Sequence, residues 1–326
     1  MMQKLRNKIV LILFTLTAVC LFLTGCGNAP KDEYGCFKTF EAAKASSKKT
    51  GKNILVMVTM DGDDQGSSVF INDVVKNPDF SKVQEEYSVV LMDFSQKSYE
   101  ASIAQDESDK DAVKKAAEND RILRQNMLTA TLLNTSLTPA FYLLSKDGLF
   151  VSVIEYIEEI NSPSDFLSLL SKYDDKALEV NSLASTALKA PSQERLSAVN
   201  TLYDSTDAVY RPFLSEFIEL GVKLASGNPE LKSKFLVAKT DNLSTRSFLM
   251  GDAKSAVQGY VELAANKELT AEYCQQAWYM AAYLLAMSDS SQYDTIITYL
   301  QNAIQAAPDS PDALSIQRAI NELGGN

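Results

Sequence analysis

Histidine is absent from all 326 residues of this sequence. That excludes His-ligated zinc, His-ligated haem and every catalytic triad with an imidazole base. Cysteine occurs only at positions 20, 26, 36 and 274, never as C-x-x-C, so a cysteine-rich zinc site is excluded too. Basic residues are in the minority, 31 against 42 acidic, for a net charge of −11. Nucleic acid is a poor partner for such a chain, because phosphate binding needs a basic patch. What remains is ordinary: 46% of residues are apolar and 22% charged. That balance excludes disordered, collagenous and multi-span membrane classes. At roughly 150 residues per domain the length predicts about two domains, each able to bury its own core.

The N-terminus reads as an export signal. Lys4, Arg6 and Lys8 precede a mostly apolar run from Ile9 to Leu23. At about 1.5 Å per residue this run spans only about 23 Å, short for a membrane-crossing helix and suited to a signal-peptide core. Leu23-Thr24-Gly25-Cys26 follows and resembles a bacterial lipobox. The resemblance implies cleavage before Cys26, a signal peptide over residues 1–25, and acylation of Cys26. Two or more acyl chains hold a protein stably on a bilayer. Residues 1–25 carry three positive charges and no negative ones, so the mature chain has 28 basic and 42 acidic residues, net −14. Anionic headgroups repel that charge, which leaves anchoring to the lipid. Gly27, where some bacteria use Asp for inner-membrane retention, leans toward the outer membrane. Cleavage removes Cys20 and lipid occupies Cys26, leaving Cys36 and Cys274 as thiols. An exported chain allows a Cys36–Cys274 disulfide; two unpaired thiols, with Cys274 in a helix core, are the alternative.

Residues 26–37 read as a lipidated tether. Lys38–Lys49 reads as a helix stopped by Gly51. Asn53–Met60 (NILVMVTM) and Ser88–Phe94 (SVVLMDF) are dense, β-branched apolar runs, the mark of strands buried on both faces. Ser68–Val75 reads as helical up to Pro78, with resumption over Asp79–Glu86. Lys97–Asn119 is polar and charged, an insertion or an exposed helix, and Asp120–Leu128 is helical. Ala140–Leu144 and Leu149–Tyr156 form a hairpin about Lys146-Asp147-Gly148. Ser164–Tyr173 closes the unit, with Ser162 or Ser164 as cap.

That order, with Lys49-Thr50-Gly51-Lys52, the strand NILVMVT, Asn72-Asp73-Val74-Val75 through Pro78-Asp79-Phe80, the strand VVLMDF and Thr138-Pro139-Ala140-Phe141, resembles an exported thioredoxin-fold domain over residues 38–173. The resemblance implies a central mixed sheet flanked by helices and a cis-proline at Pro139. In that family the loop after the first central strand carries C-x-x-C at a helix N-terminus, where the dipole activates the first thiol. Ungapped counting puts Asp64 and Ser67 at those two positions. A carboxylate cannot attack a disulfide and a serine cannot resolve one. Removing the attacking group from a catalytic unit costs about 10⁴–10⁶ in rate. No cysteine lies between 37 and 273, so the conclusion is independent of register. Three readings stand for Asp61, Asp63 and Asp64: helix capping, a hard-cation site that the helix dipole opposes, and one wall of a peptide groove kept beside Thr138 and Pro139. Gly62-(x)₃-Gly66-Ser67 is too short for a phosphate loop and lacks its lysine.

From Asp174 onward no strand pattern occurs. Gly and Pro punctuate segments that read as about eight helices over residues 174–326. Ala277-Trp278, Tyr283, Tyr293-Asp294, Ala303 and Pro308 resemble tetratricopeptide-type repeats, and Gly251-Asp252, Ala256, Tyr260 and Ala264 echo them. A generic helical bundle is the alternative. Tyr273, Trp278, Tyr279, Tyr283, Tyr293 and Tyr299 either line a concave face or fill the core.

The expectation is therefore a non-enzymatic, lipid-anchored cell-envelope protein without cofactor or metal. A redox-inactive thioredoxin-like scaffold would bind peptides or proteins, and an all-α, tetratricopeptide-like domain would recruit a partner. The alternatives are a thiol-disulfide oxidoreductase using Cys36 or Cys274 and a surface lipoprotein without a groove. Cys26→Ser is expected to abolish palmitate labelling in a bacterial host and to leave an uncleaved precursor, seen by intact mass. Continued labelling would refute the anchor.

Overall fold

The computed structural model describes residues 30–106, 108–156 and 160–324. The signal segment and Cys26 lie outside the described residues. Thr39 opens α1 (Phe40–Thr50), its hydroxyl accepting the Ala42 N–H at 3.3 Å. Gly51, at φ +78°, closes it by donating its N–H to the Ser47 carbonyl at 2.8 Å. β1 (Asn53–Thr59) follows. A short α2 (Gln65–Phe70) then runs into a π-helical turn, Ile71–Val75, and a 3₁₀ turn, Pro78–Phe80. α3 (Ser81–Glu86), β2 (Tyr87–Asp93), α4 (Gln96–Glu100) and α5 (Lys110–Leu132) come next. The hairpin β3 (Ala140–Leu144) and β4 (Phe150–Ile154) precedes α6 (Pro163–Leu170), capped by Ser162 with Pro163 in its first turn.

The four strands form one mixed sheet in the order β2-β1-β3-β4. β1 pairs parallel with β2, Val56 opposite Val90, and antiparallel with β3, Val56 opposite Tyr142. Alternation along β1 feeds two cores. Leu55 and Met57 meet Phe70, Val74, Phe141 and Phe166 on one face. Ile54, Val56 and Val58 meet Phe40, Val90, Leu133 and Tyr142 on the other. Fully burying a side chain of this size contributes about 1.5–3 kcal/mol. A sheet covered on both faces is what the two dense apolar runs foretold.

Residues 30–37, read as part of a tether, dock on the sheet unit. Lys31 bridges Phe37, Phe37 bridges Val90 on the outer edge of β2, and Cys36 is fully buried in the core. The Phe37 N–H donates to the Val89 carbonyl at 2.8 Å, so this segment satisfies backbone groups of an edge strand. Of the two readings of the polar stretch Lys97–Asn119, the structure bears out the exposed helix. The stretch supplies α4 and the first half of α5, whose inward face carries Ala116, Asn126, Ala130 and Leu132. The charges that obscured α5 pair along its outer face, Arg121 with Glu118 at 2.6 Å and Arg124 with Asp120 at 2.8 Å.

Among the described residues the remainder is helical: α7 (Asp174–Lys189), α8 (Ser192–Ser205), a 3₁₀ segment Ala208–Leu214, α9 (Ser215–Leu224), α10 (Pro229–Leu249), α11 (Ala253–Ala264), α12 (Ala271–Ser288), α13 (Tyr293–Ala306) and α14 (Ala313–Gly324). From α9 on, each helix packs chiefly on its neighbours in sequence. Alanines make the crossings close: Ala277, Ala281, Ala282 and Ala303 are buried, and Trp278 sits 5.4 Å from Tyr299. Buried Gln275 donates to the carbonyls of Ala303 and Ala307 at 3.2 and 3.0 Å, satisfying groups that the end of α13 leaves open. The helices also grip the sheet unit. Phe213 packs edge-on to Phe40, Tyr210 stacks on Phe150, and Glu216 accepts from Lys44 and Lys48 at 2.9 Å each. Burial opposes ionisation of Glu216, but the two ammonium groups outweigh it and hold its carboxyl below the usual range. No helix among the described residues is long and apolar enough to cross a membrane.

Gly221 marks the tightest crossing. A Cβ there would lie 2.8 Å from the ring of Phe235, which is fully buried. Gly221→Ala is therefore expected to lower stability by about 1–3 kcal/mol in urea unfolding. Gly227→Ala, with nothing within 4 Å of the added carbon, should change it little.

Candidate functional site

β1 ends at Thr59, and its last residues aim a tight loop at the start of α2. The N–H groups of Asp63 and Asp64 both donate to the Met60 carbonyl, at 3.1 and 2.9 Å. Gly62, at φ +90°, allows the turn, and its N–H donates to Ser68 Oγ at 2.8 Å. Asp64 is the N-cap of α2, its Oδ2 accepting the Ser67 N–H at 2.8 Å. Ser67 is fully buried, and its hydroxyl accepts the Met60 N–H at 3.0 Å. Hydrogen bonds from Ser67, with help from the Gly66 amide and the Thr138 side chain, outweigh the cost of burial and hold the Asp64 carboxyl below the ordinary carboxylate range. Both residues are thus committed to backbone groups, which is the capping reading.

The fold brings Thr138 and Pro139 to the same place. The Thr138–Pro139 peptide bond is cis. A Cβ on Gly66 would lie 3.0 Å from Pro139 Cδ, so the first turn of α2 and the chain entering β3 touch. Beside this contact opens a groove of 690 Å³. Asp64, Met60 and Thr138 line it together with Phe94, Tyr99, Leu123, Met127 and Leu137, and with hydroxyls such as Ser95, Thr131 and Thr135. Its apolar groups are unusually bare: Leu137 is 79% exposed, Tyr99 55% and Met127 54%.

Those apolar residues escape a reading of the sequence, because they come from α4, α5 and the loop before Pro139. A signal did exist in Leu137, a lone apolar side chain in the polar stretch Asn134 to Thr138. Asp93 was also missed. This acid at the end of an apolar strand accepts from Thr59 Oγ1 and the Asp61 N–H on one oxygen, at 3.3 and 2.9 Å, and from Ser95 and Ser98 hydroxyls on the other, at 2.5 and 2.6 Å. It ties β1, the loop and α4 together. Asp63 adds a bond to the Gln96 N–H at 2.5 Å. A second cavity, of 460 Å³, lies beyond this tie, lined by Asp32, Asp61, Asp93, Lys38 and Asn126 among others. Among the described residues no group of three or more acidic or cysteine side chains is placed to hold a metal ion.

Neither thiol lies in the groove. Cys36 and Cys274 are both free, so the disulfide allowed by the sequence does not form. Cys36 is fully buried, and burial, reinforced by Asp32, pushes its thiol well above the ordinary range. Cys274, half-buried on α12, donates to the Ala264 carbonyl at 3.3 Å, and burial raises its thiol as well. Both shifts disfavour a thiolate.

A family model described as an uncharacterised protein C-terminal domain matches residues 231–326, which run from α10 through α14. No curated protein and no solved structure matches the chain.

With folded protein at neutral pH, Cys36 is expected to resist maleimide and Cys274 to react slowly, while both react fully in urea. Rapid labelling of native Cys36 would contradict the burial described.

Proposed function

We propose that the chain is a lipid-anchored cell-envelope protein whose sheet-containing part is a redox-inactive, thioredoxin-like scaffold for an extended peptide or protein segment. The observation that carries this reading is the groove beside Thr138 and Pro139. It joins bare apolar side chains to a helix start whose capping positions hold Asp64 and Ser67, without a cysteine among its lining residues. The β2-β1-β3-β4 order, with one parallel pair and an antiparallel hairpin, supports the thioredoxin likeness. Burial of Cys36 and the raised thiols of both cysteines argue against an oxidoreductase acting through them.

The helical half is read as a tetratricopeptide-like module that recruits a second partner. Buried alanines at the α12 and α13 crossing support that, as does the exposed row Tyr279, Tyr283 and Met287 along α12. Trp278 and Tyr299, by contrast, pack into the core. Localisation to the envelope, with the outer membrane favoured, rests on the lipobox and on Gly27.

Two measurements test the scaffold. The mature protein should show no turnover in insulin reduction. A photo-crosslinking amino acid at position 137 should capture an unfolded model polypeptide, in competition with unlabelled polypeptide. Turnover that survives Cys36→Ser with Cys274→Ser, or crosslinking without competition, would reject it.

A further inference from the structure

The peptide-groove reading leaves the occupant's chemistry open, and any assignment of that chemistry rests on that reading. Among the described residues lining the groove Asp64 alone is charged. The other walls are apolar or neutral, with Tyr99, Met127 and Leu137 standing most exposed. Asp61 and Asp63 precede Asp64 in the same loop, and among the described residues none of the three forms an ion pair with a lysine or arginine. The site thus presents, at the N-terminus of α2, one carboxylate without an ion-pair partner beside a largely apolar flank, on a chain that is itself strongly acidic. An acidic segment would be repelled, and a wholly apolar one would leave the carboxylate with its hydrogen bonds at the start of α2 but no counter-charge. Lysine and arginine match both features, because their methylene stems lie on apolar surface while the cation reaches a carboxylate. An extended backbone adds alternate side chains that can reach the apolar wall.

We infer that the groove takes an extended segment of a partner protein in which apolar residues flank a lysine or arginine, the cation resting against Asp64. Asp64 is then the residue that sets specificity, and the apolar wall supplies contact area without choosing among sequences.

Three fluorescein-labelled octapeptides test this. They are apolar throughout and differ at one central position, Lys, Gln or Glu. Anisotropy titrations use the full mature chain. The Lys peptide is expected to bind about two- to fivefold more tightly than the Gln peptide, the range of an exposed ion pair, and the Glu peptide most weakly. The preference should fade in about 0.5 M NaCl, where screening shortens the reach of the charge. Asp64→Asn keeps an amide oxygen to cap α2, so it should fold while losing the preference; its thermal midpoint verifies the fold. Leu137→Ser, at a bare position, should weaken all three peptides alike. Equal binding of the three peptides would overturn the cation assignment and leave the groove reading intact. A Lys preference that persists in Asp64→Asn would place the cation elsewhere and also overturn it. No binding by any of the peptides would remove both readings.

Discussion

Because β1 is hydrogen-bonded along both edges and covered on both faces, its C-terminal end is a fixed point in the molecule. The loop that leaves Thr59 inherits that fixity, and so does everything the loop touches. β2 runs parallel beside it, which brings Asp93 level with Thr59. β3 runs antiparallel on the other side, which returns Thr138 and Pro139 to the level of Val58 and the loop. Three segments far apart in sequence therefore meet at one sheet end, where α/β sheets commonly place their binding crevices.

The polar groups at that end form a closed set of bonds around the backbone. Ser67 serves Met60, Asp64 serves Ser67, and Asp93 collects four donors from β1, the loop and α4. A half-buried carboxylate with this many donors holds its neighbours in one arrangement while all of the bonds stay in place. The loop is thus built for rigidity. Rigid placement favours binding by sparing the cost of ordering the site when a ligand arrives. The helical half adds to this stiffness from the opposite side of the molecule, since Tyr210, Phe213 and Glu216 seat it on β4 and α1.

Much of this was legible in the residues. The two apolar runs announced strands covered on both faces, and Lys146-Asp147-Gly148 announced the hairpin. Gly51 ends the first helix as its capping rule predicts, while the start moves from Lys38 to Phe40, behind the Thr39 cap. Capping by Asp64 follows from its position before a helix. A groove beside Thr138 and Pro139 was an expectation, but its apolar wall was hidden, because α4, α5 and a loop build it together. Tyr99 stands alone in a polar run, and Met127 reads as one more apolar residue of a helix whose partner surface the sequence does not name. Residues 30–37 were misread for a related reason. Their polarity suggests solvent, yet Cys36 and Phe37 gain burial and backbone partners only once β2 presents an edge to them.

The docking of that segment has a bearing on how the body would stand over a bilayer. Pro30 is the first residue engaged, its carbonyl accepting the Lys38 N–H at 3.2 Å, so only residues 27–29, four residue steps, would separate it from an acylated Cys26. Four steps reach at most about 14 Å even when fully extended. The globule would be leashed almost against the headgroups, with little freedom to rise or turn away.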